Sequence, residues 1–261
     1  MKKDDLLTMA NDTRYIEGVF NYCDRWCERC PLTSRCLNYA IAAEHVGTPA
    51  ERDFRNAEFW SNLRDMFEVT VEMLTDWAKK QGIDLDVIDV EAAAAEERQR
   101  RERAHNHDLS QAAEAYGELV GTWFIQEKEQ FKQREEDLNT LTRLGIGGNS
   151  PFEEADQIND AAQVVQWYQH QIHIKLMRAL SQQFDDPNEA AKPQSDANGS
   201  VKVALIGIDR SLAAWGTLRE QFPECADDIL DILIDLDRLR RRTEHAFPHA
   251  RAFVRPGFDK G

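Results

Sequence analysis

The sequence predicts an all-α protein, a bundle of four or more long helices with a small N-terminal Cys-rich, metal-binding segment. Apolar residues recur with helical spacing over most of the chain, and no two segments form a convincing pair of β-strands. Four of the five cysteines fall between positions 23 and 36. The chain has 261 residues, of which 42% are hydrophobic, and this is enough apolar material for a core.

We predict three regions along the chain: the Cys-rich segment at 1–50, a long helix plus charged connector at 51–107, and the helical bundle at 108–261. The long helix starts near Phe54 and carries an apolar stripe on one face: Trp60, Leu63, Phe67, Val71, Leu74 and Trp77. Residues 83–90 alternate apolar and acidic side chains, but a lone strand is not stable. Residues 91–103 are rich in strong helix formers and predict a solvated helical connector.

The sequence of the bundle region, residues 108–261, predicts four helices. The first begins after the capping residue Asp108 and continues to the glycine-rich turn at Gly145, because its apolar stripe is unbroken. The second covers 153–183. A flexible loop is expected at 184–199, which has almost nothing to bury. The last two helices are predicted after the N-cap Ser200 and over 227–246.

The cysteine spacing is C-x3-C-x2-C-x5-C, formed by Cys23, Cys27, Cys30 and Cys36. On a helix the first three would share one face, and Pro31 disfavours helical geometry at Cys30. We therefore expect a helix that carries Cys23 and Cys27 to end there, so that the following loop returns Cys36 to the same place. The pattern predicts four cysteines that bind one cofactor or metal.

Four cysteines crowded into one short segment, with a proline beside a ligand, are typical of iron–sulfur clusters. Structural zinc sites more often use two separated cysteine pairs, but zinc remains an alternative. Redox-active thiols and plain burial of small apolar side chains also remain open. Cys225, which stands alone after Pro223, is expected to be an ordinary packing residue.

A second hypothesis concerns His170 and His173, which lie three residues apart on the helix at 153–183. Such a pair could form an interhelical pocket for a metal or for proton transfer. Ferritin-like di-iron proteins carry two Glu-x-x-His motifs, and this chain does not contain two. Solvated or interhelical histidines are the simpler interpretation of this pair.

The chain contains 32 Lys+Arg and 47 Asp+Glu, which gives a formal charge of −15. This excess of acid argues against nucleic acid or an anionic membrane as a partner. The N-terminus lacks the apolar core of a secretory signal, so a cytoplasmic location is expected. The sequence favours a [4Fe–4S] protein for electron transfer or redox sensing, with a redox partner protein. One alternative is a zinc-stapled scaffold, in which a zinc ion ties the N-terminal segment to the bundle and no reaction takes place. The other is a bundle enzyme that uses His170 and His173. No reaction, substrate or oligomeric state is predicted.

Overall fold

The structure is a computed structural model that describes residues 3–45, 55–147 and 150–260. Those residues form ten α-helices and no β-strand, so the all-α prediction is confirmed. The helices are α1 (Lys3–Ala10), α2 (Leu37–His45), α3 (Ala57–Gln81), α4 (Val90–His105), α5 (Asp108–Gln126), α6 (Lys128–Leu144), α7 (Ser150–Asp185), α8 (Pro187–Ala190), α9 (Asp196–Gln221) and α10 (Ala226–Ala246).

The chain divides into two compact units. The N-terminal unit comprises Met1–Arg98 together with the C-terminal tail Arg255–Gly261, and the bundle unit comprises Gln99–Val254. The predicted boundary between residues 50 and 51 lies outside the described residues, as does Phe54. The tail therefore belongs to the unit that contains the four clustered cysteines.

The core of the bundle unit lies between α7 and α9, with α5 and α10 packed beside them. Trp215 of α9 is fully buried, and its indole N–H donates a hydrogen bond of 3.1 Å to the hydroxyl of Tyr116 on α5. The rings of Trp215 and Trp123 meet edge to face, with centroids 4.8 Å apart. Satisfying the polar atom of a buried tryptophan in this way removes the penalty of burying it.

Gly207 allows α9 to approach α7 closely. An ideal Cβ at this position would lie 2.9 Å from Cδ1 of Tyr168 and 3.3 Å from Cγ1 of Ile172, both on α7. The ring of Tyr168 is almost completely buried, and Arg210 donates a hydrogen bond to its hydroxyl. A side chain at position 207 would therefore meet a ring that is held in place.

The helix predicted after Asp108 is two helices in the structure. The N-cap of α5 is His107, whose Nδ1 accepts the N–H of Leu109, and the path breaks at Glu127 between α5 and α6. Neither glycine nor proline marks this break. The sequence prediction of one continuous helix was wrong because the apolar stripe continues across the junction.

Residues 184–199, predicted as a flexible loop, contain α8 and the start of α9. The Asp186 side chain caps α8 by accepting the N–H groups of Asn188 and Glu189. Ser195, rather than the predicted Ser200, is the N-cap of α9, and Ser200 is fully buried inside that helix. Capping hydrogen bonds therefore order this segment, and a hydropathy pattern does not predict such bonds.

Helix α3 carries the predicted apolar stripe, but the stripe is exposed. Of its six side chains, Leu63 is partly buried and the other five keep more than half of their surface accessible: Trp60 56%, Phe67 63%, Val71 60%, Leu74 58% and Trp77 55%. Residues Leu85–Val87 form a short 3₁₀ turn, which agrees with the rejection of a strand there. Among the described residues, no helix combines the length and hydropathy needed to cross a membrane.

Candidate metal centre

Two short 3₁₀ turns build the cysteine segment, Cys27–Arg29 and Thr33–Arg35. A cysteine closes each turn: the N–H of Cys30 donates to the carbonyl of Cys27 at 3.2 Å, and that of Cys36 to Thr33 at 3.3 Å. Both closing cysteines have extended backbone, which at Cys30 follows from the proline after it. The sequence therefore presents the second pair of cysteines in two similar turns.

The predicted helix through Cys23 and Cys27 does not form. Arg25, between them, has a φ of +59°, a left-handed conformation that a non-glycine residue adopts at a cost. This residue turns the chain sharply, whereas a continuous helix would have carried Cys27 along its axis. The helical spacing of the first three cysteines was therefore misleading.

All four predicted ligands, Cys23, Cys27, Cys30 and Cys36, line one cavity of about 20 Å³. Each of these side chains is half-buried. In the part of the chain that the structure describes, no three of the thiols have all their sulfurs within 4.8 Å of one another. The thiols thus surround a shared space without touching as a compact set.

Two of the sulfurs form hydrogen bonds with the backbone of the segment. The N–H of Leu32 donates to Sγ of Cys30 at 3.4 Å, and the thiol of Cys23 donates to the carbonyl of Phe20 at 3.5 Å. An N–H aimed at a cysteine sulfur stabilises its thiolate form and tunes a bound metal or cluster. The Leu32 amide is positioned for that role by the turn after Pro31.

Burial raises the pKa of the Cys27 thiol above its ordinary value, and the negative charges of Cys23, Cys30, Cys36 and Glu28 raise it further. Thiolates in this arrangement repel one another. A cation among them reverses the effect, because a coordinating thiol is deprotonated outright. Four free thiolates in this segment would therefore be electrostatically unfavourable. The same four thiolates become favourable when they bind a cation.

Aromatic and basic side chains shield the cavity. Trp26 lines it and is 9% exposed, and the Arg29 guanidinium lies 3.9 Å from the centroid of a Trp26 ring. Arg25 also lines the cavity. Arg35 instead donates to the carbonyl of Arg14 at 3.5 Å.

Sequence reasoning missed the contribution of the C-terminal tail. Phe258 lines the cysteine cavity, and Gly257 beside it has a φ of +77°. A Cβ at Gly257 would lie 2.7 Å from Cδ1 of Ile16 and 3.3 Å from Cδ1 of Leu32. The glycine thus lets the tail lie against the cysteine segment; the sequence Pro-Gly-Phe at 256–258 was the available signal.

The remaining candidate residues lie in the bundle unit. Cys225 is buried and its thiol donates to Glu127 at 3.2 Å; burial, reinforced by this carboxylate, raises its pKa to about 12. This agrees with a packing role. His170 is exposed and packs against Gly117, whereas His173 groups with His105 and Glu114.

Comparison with known proteins gives no relationship: no family model, curated protein or solved structure matches this chain.

Proposed function

We propose that this chain is an iron–sulfur protein in which Cys23, Cys27, Cys30 and Cys36 hold a [4Fe–4S] cluster for electron transfer or redox sensing. The observation that carries the proposal is the single cavity lined by all four thiols. The Leu32 amide on Cys30 Sγ and the arginine beside the cavity supply the polar surroundings that such a cluster needs.

The separation of the sulfurs favours a cluster over a single ion. Zinc–sulfur bonds of about 2.3 Å place the sulfurs of a tetrahedral site about 3.8 Å apart. The four thiolates of a [4Fe–4S] cluster each bind a different iron and therefore stand further apart. Sulfurs of which no three lie mutually within 4.8 Å, among the described residues, match the wider arrangement better.

A second candidate is a zinc-stapled scaffold without catalysis, which the size of the cavity favours. A volume of about 20 Å³ holds roughly one water-sized sphere, which is enough space for a single ion. A cluster requires the two 3₁₀ turns to move outward, and the half-buried position of the cysteines leaves room for that movement. We favour the cluster because, among the described residues, no three of the sulfurs lie mutually within 4.8 Å.

Electron transfer suits this arrangement better than catalysis at a metal. Four cysteine ligands leave no open position for a substrate on the irons. Trp26 and Phe258 restrict water, while the half-buried cysteines keep a cluster within reach of a redox partner protein. This assignment explains why the ligands lie near the protein surface.

The proposal is tested by reducing the protein, purified without oxygen, with dithionite. We expect the protein to show the brown colour of an oxidised cluster. Dithionite should bleach this colour reversibly, and an electron paramagnetic resonance signal of the reduced cluster should appear. The Cys225→Ser variant is the matched control and should give the same signal. A colourless protein that holds one zinc ion on the four thiolates and gives no signal overturns the cluster and establishes the scaffold.

A further inference from the structure

A separate group of potential metal ligands lies within the bundle unit. His105 is the last residue of α4, Glu114 lies on the second turn of α5, and His173 lies on α7. One donor atom from each of the three comes within 4.8 Å of the other two. Nδ1 of His105 and Oε2 of Glu114 are 3.7 Å apart, and the two imidazole centroids are 6.3 Å apart.

A hydrogen bond to α5 holds the ring of His173 in place. Its Nδ1 lies 3.1 Å from the carbonyl oxygen of Ser110, a fully buried residue on α5. Because a carbonyl oxygen can only accept, this hydrogen bond places a proton on Nδ1; the hydroxyl oxygen of Ser110 lies 3.5 Å from the same nitrogen. Metal-binding histidines commonly donate their second N–H to a backbone carbonyl in this way. With the proton on Nδ1, the neutral ring of His173 offers Nε2 to a metal.

The backbone around His105 is fixed as well. The Gln111 amide donates to the carbonyl of His105 at 2.8 Å, and His107 caps α5. The short α4–α5 turn consequently holds His105 next to the first turns of α5. The side chains of His105 and Glu114 are 47% and 40% exposed, so they can rotate by small amounts without disturbing the core.

We propose that His105, Glu114 and His173 bind a divalent transition-metal ion, with Zn²⁺ as the best fit. Zinc–ligand bonds of about 2.0–2.2 Å require donor atoms about 3.4 Å apart. The His105–Glu114 pair is near that spacing, and the other distances reach it by side-chain rotation. Two imidazoles and one carboxylate are a recurring zinc ligand set, with water in the fourth position.

The chemistry of the ligands excludes calcium and magnesium. Imidazole nitrogen suits zinc, copper, iron and nickel, whereas calcium and magnesium require shells of oxygen ligands. The ion would connect α4, α5 and α7, and so add to the hydrogen bonds that already join these helices. This proposal is independent of the cysteine cluster, because the two sites share no residue.

The test is cobalt and zinc titration of the full chain, purified with its cysteine site loaded. Co²⁺ should bind as one additional equivalent, with visible bands of nitrogen and oxygen ligation and no cobalt–thiolate charge-transfer band. Zn²⁺ should displace it. The Glu114→Gln variant should weaken Zn²⁺ binding about 100-fold, since even loss of an outer-shell partner costs about 10–100-fold.

Two matched variants control for general effects. Glu118→Gln removes an exposed carboxylate one turn further along α5, and His170→Gln removes an exposed imidazole one turn before His173 on α7. Both should bind Zn²⁺ with the wild-type affinity, whereas His173→Gln should lose it. Equal affinities in Glu114→Gln and Glu118→Gln, or no additional equivalent of metal in the wild type, would overturn the site. A cobalt–thiolate band that E114Q leaves unchanged would report the cysteines alone and likewise overturn it.

Discussion

Replacing Cys36 with serine is expected to abolish the cluster, from about four irons per chain to nearly none. Cys36 closes the second 3₁₀ turn and lines the shared cavity, so its loss removes one of four ligands. A serine hydroxyl stays protonated where a thiol ionises, and it cannot replace a thiolate ligand. Iron and acid-labile sulfide, measured in protein purified without oxygen, check this result.

Cys225→Ser is the control, because Cys225 is a buried packing residue of the bundle unit. It should retain the wild-type iron and sulfide. An unchanged metal load in Cys36→Ser would contradict the assignment of four ligands under both the cluster and the zinc proposals.

Gly207→Ala is expected to lower the free energy of unfolding of the bundle unit by about 1–2 kcal/mol. The added methyl would meet the Tyr168 ring at 2.9 Å, and overpacking of this kind costs about 1–3 kcal/mol. Exchange of glycine for alanine within a helix returns up to about 1 kcal/mol. Urea denaturation, followed by tryptophan fluorescence, measures the difference.

Gly216→Ala, on the same helix, is the matched control. No atom lies within 4 Å of an ideal Cβ at Gly216, so only the gain in helix propensity remains. This variant should be stabilised by about 0.5–1 kcal/mol. If the two variants had the same stability, close packing of α7 on α9 at Gly207 would not be a determinant of the fold.

The local sequence predicted much of the fold, because the spacing of apolar residues and the residues that begin or end a helix lie within short stretches of the chain. The apolar residues from Val201 to Phe222 follow a helical stripe that is too long for a strand, and α9 confirms the helix predicted there. The break at Glu127 was missed because no glycine or proline marks it. Burial of the α3 stripe could not be inferred, because periodicity reveals an apolar face but not what covers it.

The cysteine set could be predicted from spacing because all of its members lie in one segment. Its details could not: the left-handed Arg25 replaces the expected helix, and Phe258 reaches the cavity from the opposite end of the chain. The grouping of His173 with His105 and Glu114 depends on how three helices pack. Sequence reasoning instead paired His173 with its neighbour His170, which the structure places against Gly117.

The most direct test of the central claim is the content of iron, acid-labile sulfide and zinc in the wild-type protein purified without oxygen. The four-cysteine cluster predicts about four irons and four sulfides per chain, with zinc absent from the cysteines. One zinc ion bound to the four thiolates, without sulfide, would contradict the cluster and leave a zinc-stapled scaffold in its place.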